Sequence, residues 1–429
     1  MLRPAPEWKI LLEPFESLFT KPGYRSFCAF VLVFAHLDQR LWVTQVVLSG
    51  LVSRHFTSFY RFLREGVWST EAVSQKVFTL CWQRCVEGGR LFTAIDDTVA
   101  AKLGKCFDGL GLHHDPMNRQ NPKRLSQGHC FVALAALAQQ AAGHFVALFV
   151  AAALYRQEKA CQEEGLPFAT KLELALRLCL SLGTPPLVVL FVVADGAYAK
   201  KAFVFPLCGA GRHVLSRLRS DTVFYDLPAV KKKGQRGRPR KYGAKHKATE
   251  WAKKEKGWKP VTLRLYGKEA QLQLKTRVVL QRTLGVKIRI VAVRYCAQAH
   301  RRGERRLVFL FCTDVTLAAE QIVRLYCARF AIETGFRDAK QSFGFSTYQV
   351  RSQASILRVV HLCLWAQTLL RLRCWTEKPE PVYGDWRKPL SYLTLSQQKR
   401  FSQGRAGILS GSWERGGVTE NVERLPLAA

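Results

Sequence analysis

Residues 325–344 read LYCARFAIETGFRDAKQSFG, and the polar side chains in this stretch recur at helical spacing. An α-helix turns by about 100° per residue, so five of these side chains fall within an arc of about 80°. They are Tyr326, Arg329, Glu333, Arg337 and Lys340. The spacing predicts one long helix, beginning near Thr316, with a single polar stripe.

The composition of this stripe favours a binding site for an anion. One carboxylate beside two arginines, a lysine and a phenol suits a strongly anionic group such as phosphate. A solvated helix face with ordinary ion pairs is the alternative interpretation, because such stripes are common and each pair contributes little. Taken alone, the stripe leaves both interpretations open.

The net charge of the chain indicates a polyanionic partner. Its 429 residues include 66 lysines and arginines against 32 aspartates and glutamates, a formal charge of +34 with a pI near 10.1. Self-repulsion at this charge is costly unless a polyanion is bound, and nucleic acid is the commonest one. A basic membrane-surface protein is the weaker alternative. The remaining composition is that of a folded, soluble protein with roughly two or three domains.

The cysteines do not follow the spacing of a disulfide or zinc framework. Thirteen are scattered along the chain, and no N-terminal stretch has the order of a signal peptide. We therefore expect reduced thiols in a cytoplasmic protein. A zinc interpretation of Cys81 and Cys85, or of the cysteines and histidines from Cys106 to Cys130, lacks the support of paired C-x-x-C units.

The chain divides into a helical first part and a strand-rich second part. Residues 1–88 have helical periodicity, and the basic side chains Arg54, His55, Arg61 and Arg64 suit a DNA-contacting domain, although a plain helical cap would have the same pattern. From Leu91 onward, short apolar runs alternate with turn signals. Residues 129–154 predict two buried strands joined by a turn, because polar residues interrupt the span that a membrane helix needs.

The later elements predict a three-layer α/β core with an insertion. The sequence pattern of residues 170–182 predicts a helix, and the apolar run of residues 187–194 predicts a buried strand. A basic stretch between about residues 221 and 261 predicts an arm or loop. The alternating runs 261–265, 270–280, 287–293 and 306–311 then predict a β-rich insertion before the polar-stripe helix.

Carboxylates lie at the ends of two predicted buried strands. LFTAIDDTVA carries Asp96 and Asp97, and LVVLFVVADGAYAK carries Asp195. A carboxylate next to an apolar strand needs a charge partner, because burying it unpaired costs several kcal/mol. With a third carboxylate on a later helix, such residues can bind two Mg²⁺ or Mn²⁺ ions and align a phosphodiester. A turn former or helix cap is the alternative role for either aspartate taken alone.

The order Asp97, Asp195, Glu333, with Tyr-x2-Arg-x3-Glu-x6-Lys around the glutamate, resembles the insertion-sequence DDE transposases that carry a Y-R-E-K signature. The resemblance covers about residues 90 to 370 and implies an RNase H-like core with a β-strand insertion between the second Asp and the Glu. It divides the chain into an N-terminal helical, probable DNA-binding domain, a split core, an insertion with a basic arm and a tail. The corresponding ranges are 1–88, 89–220 with 311–375, 221–310 and 376–429.

The resemblance also implies roles for individual residues. Asp97, Asp195 and Glu333 would be the catalytic and metal-binding triad for two Mg²⁺ or Mn²⁺ ions. Tyr326, Arg329 and Lys340, together with Arg337, would hold the DNA near the cleavage point. Neighbours on a strand point to opposite faces, so only one of Asp96 and Asp97 can serve the site. Asp97 is preferred because the family motif places its aspartate directly before Thr.

The basic arm contains a short DNA-binding motif. Arg236-Gly237-Arg238-Pro239 matches the core of an AT-hook, which lays arginines into a narrow minor groove. A non-specific phosphate contact, shared with Lys241, is the favoured role because four residues match easily by chance. Trp251 and Trp258 are candidates for stacking on an extruded base, and core packing is an equally good interpretation.

These features together predict a cut-and-paste transposase. It would bind transposon inverted repeats, cleave double-stranded DNA in a Mg²⁺-dependent reaction and transfer the strand to target DNA, acting as a homodimer on paired ends. The sequence contains no P-loop lysine motif, so a nucleotide cofactor is not expected. A cytoplasmic, nucleoid-associated prokaryotic protein is expected. The rivals are a DNA-binding repressor that no longer cuts and an RNase H-like nuclease without strand transfer.

Overall fold

The computed structural model describes residues 5–37, 42–49, 54–115, 118, 120–229, 238–295, 307–377 and 393–404. The helices are α1 Pro6–Leu12, α2 Lys21–His36, α3 Val43–Leu48, α4 Thr57–Arg64, α5 Thr70–Cys85, α6 Glu158–Glu163, α7 Lys171–Ser181, α8 Lys201–Gly209, α9 Ala248–Lys253, α10 Ala319–Ala328, α11 Phe330–Ser342, α12 Gln353–Arg373 and α13 Leu395–Gly404. The strands are β1 Val86–Glu87, β2 Arg90–Ala101, β3 Gly111–His114, β4 Leu125–Ala141, β5 His144–Tyr155, β6 Val189–Ala194, β7 His213–Leu218, β8 Val223–Tyr225, β9 Lys245–Lys247, β10 Lys259–Leu265, β11 Lys268–Gln281, β12 Val286–Tyr295 and β13 Leu307–Cys312.

The centre of the fold is a five-stranded sheet in the order β5-β4-β2-β6-β7. Strand β4 is antiparallel to both β5 and β2, whereas β6 is parallel to both β2 and β7. This arrangement, with helices covering the sheet, agrees with the RNase H-like α/β fold predicted from the sequence. The β4–β5 hairpin occupies the stretch for which two buried strands were predicted.

The strands of the predicted insertion continue the same sheet. Strand β13 pairs with β7, and β12, β11 and β10 follow in antiparallel order. The bounds of these four strands lie within a few residues of the runs that alternate in the sequence. In β10 and β11 the side chains alternate because one face of each strand is more buried than the other.

Helix α7 begins where the sequence predicts it. The Thr170 side chain accepts a hydrogen bond from the Glu173 backbone N–H, and the Glu173 carboxylate accepts one from the Thr170 backbone in return. This reciprocal capping box satisfies two N–H groups that the first turn leaves without partners. It fixes the position of Lys171, the first residue of the helix.

Helix α12 covers the edge strand β5. Its His361, Trp365 and Thr368 side chains bond the Ala152 N–H and the Val150 and Phe149 carbonyls, groups that an edge strand would otherwise leave unpaired. Among the described helices, α12 is long and apolar enough to cross a membrane, but most of it is buried inside the fold. Its apolar character is therefore that of a core helix.

The polar stripe lies on two helices, which corrects the prediction of one long helix beginning near Thr316. Helix α10 ends at Ala328, and α11 begins at Phe330, with Arg329 at the junction. The Arg329 N–H is shared between the Leu325 and Tyr326 carbonyls at 3.3 and 3.2 Å. The tightened last turn places Arg329 where its side chain reaches both the sheet and α11.

Candidate active site at the ends of two parallel strands

The sheet places Asp96 and Asp195 side by side. Strands β2 and β6 run parallel with Ile95 opposite Ala194, so the next pair in this register is Asp96 and Asp195. The Asp195 backbone is still extended, with φ −68° and ψ 164°. Because opposite residues on neighbouring strands point to the same face, both carboxylates belong to one side of the sheet. Asp195 directly follows the last residue of β6, whereas β2 continues beyond Asp96 to Ala101, which corrects the prediction that the strand ends at this aspartate. Asp96 lies where the pairing of β2 with β6 ends, and the carboxyl end of such a parallel pair is the usual place for a ligand in open α/β sheets.

Arg329 joins Asp96 to Glu333. Its guanidinium donates to Asp96 Oδ2 at 2.9 Å and to Glu333 Oε1 at 2.6 Å. The Asp96 and Arg329 side chains are 19% and 14% exposed, whereas the Glu333 side chain is 42% exposed. One face of the sheet thus carries the two aspartates at the end of the β2–β6 pairing and, through a buried arginine, the glutamate of α11.

Burial governs the protonation of Asp96. Desolvation raises its pKa from 3.8 to about 6, even though the Arg329 guanidinium and the Asp97 N–H both lower it. The Asp97 and Glu333 carboxylates add to the rise because they repel the ionised form. The Asp96 carboxyl therefore needs more positive charge than Arg329 supplies to be fully ionised in a mildly acidic solution.

Tyr326 lies close to the same face from helix α10. Burial raises the pKa of its hydroxyl, and the Asp195 carboxylate raises it further, while Arg329 and Arg217 act in the opposite direction. The Arg329 guanidinium carbon is 6.0 Å from the centre of the Tyr326 ring. Tyr326 is therefore a neutral hydrogen-bond donor near the Asp195 carboxylate and the Arg329 guanidinium.

Asp97 points to the opposite face of the sheet. Its carboxylate accepts hydrogen bonds from Lys171 Nζ at 2.6 Å and from Tyr198 Oη at 3.4 Å, and Cys130 Sγ lies at 3.6 Å. The structure therefore brings Asp96, rather than the preferred Asp97, together with Arg329 and Glu333. The sequence analysis missed Lys171 and Tyr198, although the capped start of α7 marked the position of Lys171.

The rest of the predicted DNA-contacting stripe is spread out. Arg337 is exposed and pairs with Asp338 at 3.3 Å. Lys340 is half-buried, and desolvation lowers its pKa, with Asp115 opposing the shift. Within the described residues, neither Arg337 nor Lys340 forms a hydrogen bond or an ion pair with Asp96 or Asp195. The stripe is thus divided between an arginine at the carboxylates and cations farther along α11.

The basic arm and the two tryptophans lie elsewhere in the fold. Arg238 and Lys241 are exposed in the segment before β9, and Arg236 lies outside the described residues. Trp251 is buried, and Lys275 Nζ donates to its backbone carbonyl at 2.9 Å. Trp258 stacks beneath the Arg294 guanidinium at 4.4 Å. In this structure both tryptophans pack within the insertion, which favours the core-packing interpretation.

The donor atoms at Asp96, Asp195 and Glu333 fit Mg²⁺ or Mn²⁺, since both metals prefer oxygen ligands. The present side-chain arrangement is not a closed metal site: across the described ranges, no group of three His, Cys, Asp or Glu side chains is gathered closely enough to hold an ion. The Arg329 guanidinium stands between two of the carboxylates. The three residues therefore suit a divalent cation only after the Arg329 side chain moves away.

The fold and the site define an RNase H-like enzyme with carboxylates where its two central parallel strands stop pairing. Two family models match the sequence: one described as DDE superfamily endonuclease covers residues 14–271, and one described as Transposase DDE domain covers residues 176–369. The first match spans more than half of the chain, so the protein belongs to the DDE superfamily of endonucleases. A comparison with characterised proteins gives no significant match. The predicted relation to DDE transposases is confirmed at the level of the family, which implies a DNA substrate.

Asp96→Asn should stabilise the folded protein at neutral and higher pH. A folded-state pKa above the unfolded value means that Asp96 stabilises the fold below about pH 4 and that this contribution is lost as the pH rises through about 6. We expect the variant to be more stable than wild type by up to about 3 kcal/mol at pH 8 and equally stable near pH 4. Urea unfolding at both pH values measures this. An equal difference at both pH values would show that Asp96 does not titrate in this way.

Proposed function

We propose that the protein is a DDE transposase that cuts DNA at the ends of its element and joins the freed 3′-hydroxyl to target DNA. The observation that carries this proposal is the convergence of Asp96, Asp195 and Glu333 on one face of the sheet, beside Tyr326 and Arg329. The family match supports endonuclease or transposase chemistry. The net charge of +34 suits a protein that holds several DNA segments at once.

In this proposal Asp96, Asp195 and Glu333 form the catalytic triad, with Asp96 in place of the Asp97 of the sequence-based prediction. The three carboxylates would hold two divalent cations, which activate the attacking oxygen and stabilise charge on the leaving oxygen. Asp97 is a positioning residue: Lys171 and Tyr198 hold its side chain, and its N–H donates to Asp96 Oδ1 at 2.9 Å. This bond orients the Asp96 carboxylate.

Arg329 would exchange partners when DNA arrives. An arginine bound to two carboxylates can instead bind the two oxygens of a phosphate in the same bidentate geometry. The exchange would release Asp96 and Glu333 and, at the same time, fix the backbone phosphate beside them. Tyr326 would donate a hydrogen bond to a neighbouring phosphate oxygen, and Arg337 and Lys340 would contact the backbone farther along α11.

The other DNA contacts belong to the same proposal. The helical residues 1–88 would bind the inverted repeat, and Arg236, Arg238 and Lys241 would contact phosphates from the insertion. The protein would act as a homodimer on paired ends, associated with the nucleoid. The two rivals remain a repressor that no longer cuts and a nuclease that does not join.

Cleavage and joining of a labelled duplex that carries the element's own end test this function. We expect Mg²⁺-dependent cleavage at the element end, followed by covalent transfer of the labelled strand into a supercoiled plasmid. EDTA should abolish both products while leaving DNA binding intact, because the phosphate contacts come from protein cations. Cleavage without joining would support the nuclease, and binding without cleavage would support the repressor.

A further inference from the structure

A groove of about 580 Å³ lies between helix α4 and the segment that leads into helix α12. Phe56, Tyr60, Arg61 and Arg64 line one wall, and Arg351 belongs to the other. We propose that this groove binds the backbone of duplex DNA on one side of the cleavage point. The inference rests on the proposed function and assigns part of the DNA contact to a surface shared by the N-terminal helices and the catalytic core.

The charges that line the groove suit phosphate groups. Within the described residues, neither Arg61 nor Arg351 forms a salt bridge. Arg64 is paired with Glu65 at 2.5 Å, and Glu65 also interacts with Arg61. A second depression, lined by Lys105 and Asp108 among others, shares Arg351 with the groove. The cationic surface therefore continues past the groove toward the loop that follows β2.

Aromatic rings supply the apolar part of the groove. Helix α4 buries Phe59, Phe62 and Leu63 against the other N-terminal helices, and its outer face carries Phe56 and Tyr60, which are 49% and 40% exposed. The two exposed rings are 6.5 Å apart in an edge-to-face arrangement. Exposed aromatic rings interleaved with arginines are typical of surfaces that contact sugars and bases beside the phosphates.

The two walls of the groove are fixed to each other. Arg358 of α12 donates hydrogen bonds to the carbonyls of Phe62, Leu63, Gly66 and Trp68, at distances of 3.4, 3.1, 2.8 and 3.3 Å. These carbonyls lie at and just beyond the C-terminal end of α4, where a helix has no backbone donors for them. The groove is therefore a preformed surface.

The groove is also tied to the catalytic strand. Lys102, six residues beyond Asp96, donates to the carbonyls of Ser346 and Tyr348 at 2.9 and 2.6 Å, directly before the wall that contains Arg351. Six residues of extended chain span roughly 20 Å.

The test measures the salt dependence of duplex binding by the full-length protein. Wild type, Arg61→Ala/Arg351→Ala and a control, Arg177→Ala/Arg282→Ala, are titrated with a fluorescent duplex bearing the element's end at several salt concentrations. Arg177 and Arg282 are exposed and do not line the groove, so the control removes the same charge. We expect the slope of log K against log salt to fall by about 1.8 in the groove variant, since each phosphate contact contributes about 0.9. The control should leave the slope unchanged.

Three results would overturn the proposal, and they differ in what they imply for the groove and for the proposed function. If wild type binds the duplex and the groove variant keeps its slope and circular dichroism spectrum, the groove is not a DNA site, although the proposed function stands. A variant that keeps its slope but no longer self-associates in sedimentation velocity would assign the groove to a second copy of the chain. Failure of wild type to bind the duplex would overturn both the groove proposal and the proposed function.

Discussion

Asp96→Asn is expected to abolish DNA cleavage, while Asp97→Asn, one residue away, is expected to remain active at a moderately reduced rate. Asp96 lies with Arg329 and Glu333 on the face that holds Asp195, whereas Asp97 is bound to Lys171 on the opposite face. Loss of one carboxylate from a metal-dependent phosphoryl-transfer site should reduce the cleavage rate by about a thousandfold or more. Neutralising Asp97 should reduce it by about tenfold or less, through a less well oriented Asp96.

The comparison is well controlled because the two variants make the same chemical change at adjacent positions. Single-turnover cleavage of the labelled duplex measures the rate, and duplex binding confirms that each variant still holds DNA. Asp97→Asn should also lower the stability of the fold, since it leaves the Lys171 ammonium without its ion-pair partner. A folded Asp97→Asn variant with no cleavage, beside an active Asp96→Asn variant, would restore the assignment made from the sequence.

The choice between these neighbours shows where sequence reasoning reached its limit. Side-chain alternation tells the faces of a strand apart only when one face is polar, and residues Leu91 to Ile95 of β2 are all buried. The sequence therefore indicated a carboxylate on this strand. It did not indicate whether Asp96 or Asp97 points toward helices α10 and α11. Only the ion pair of Arg329 with Asp96 distinguishes them.

Elements with a cap or a polar face could be predicted from the sequence, whereas elements buried on all sides could not. Helix α7 has a capping box, and the strands of the insertion alternate, so both could be predicted from local signals. Helix α12 is buried along most of its length and has no polar face, so helical periodicity could not reveal it. The break at Arg329 was equally hidden, because its residues are all compatible with a continuous helix.

Arg329→Ala is expected to have opposite effects on metal binding and on catalysis. In the absence of DNA, removing the guanidinium leaves Asp96 and Glu333 without the cation that now joins them. A divalent cation can then replace it, so we expect Mn²⁺ to bind about tenfold more tightly at pH 8, where Asp96 is ionised. Cleavage should nevertheless fall by about a hundredfold or more, because the scissile region loses a bidentate phosphate ligand.

Titration of the DNA-free protein with Mn²⁺, followed by the electron paramagnetic resonance signal of the free ion, separates this effect from activity. Arg337→Ala is the matched control, because it removes an arginine from α11 that binds Asp338 and not the strand-end carboxylates. Its Mn²⁺ affinity should equal that of wild type. If Arg329→Ala bound Mn²⁺ no better than this control, Arg329 would be a phosphate ligand only. If Arg329→Ala bound Mn²⁺ more tightly than the control, the Arg329 side chain of wild type would occupy the carboxylates until DNA is present. Binding of the metal ions, and with it cleavage, would then depend on the DNA substrate.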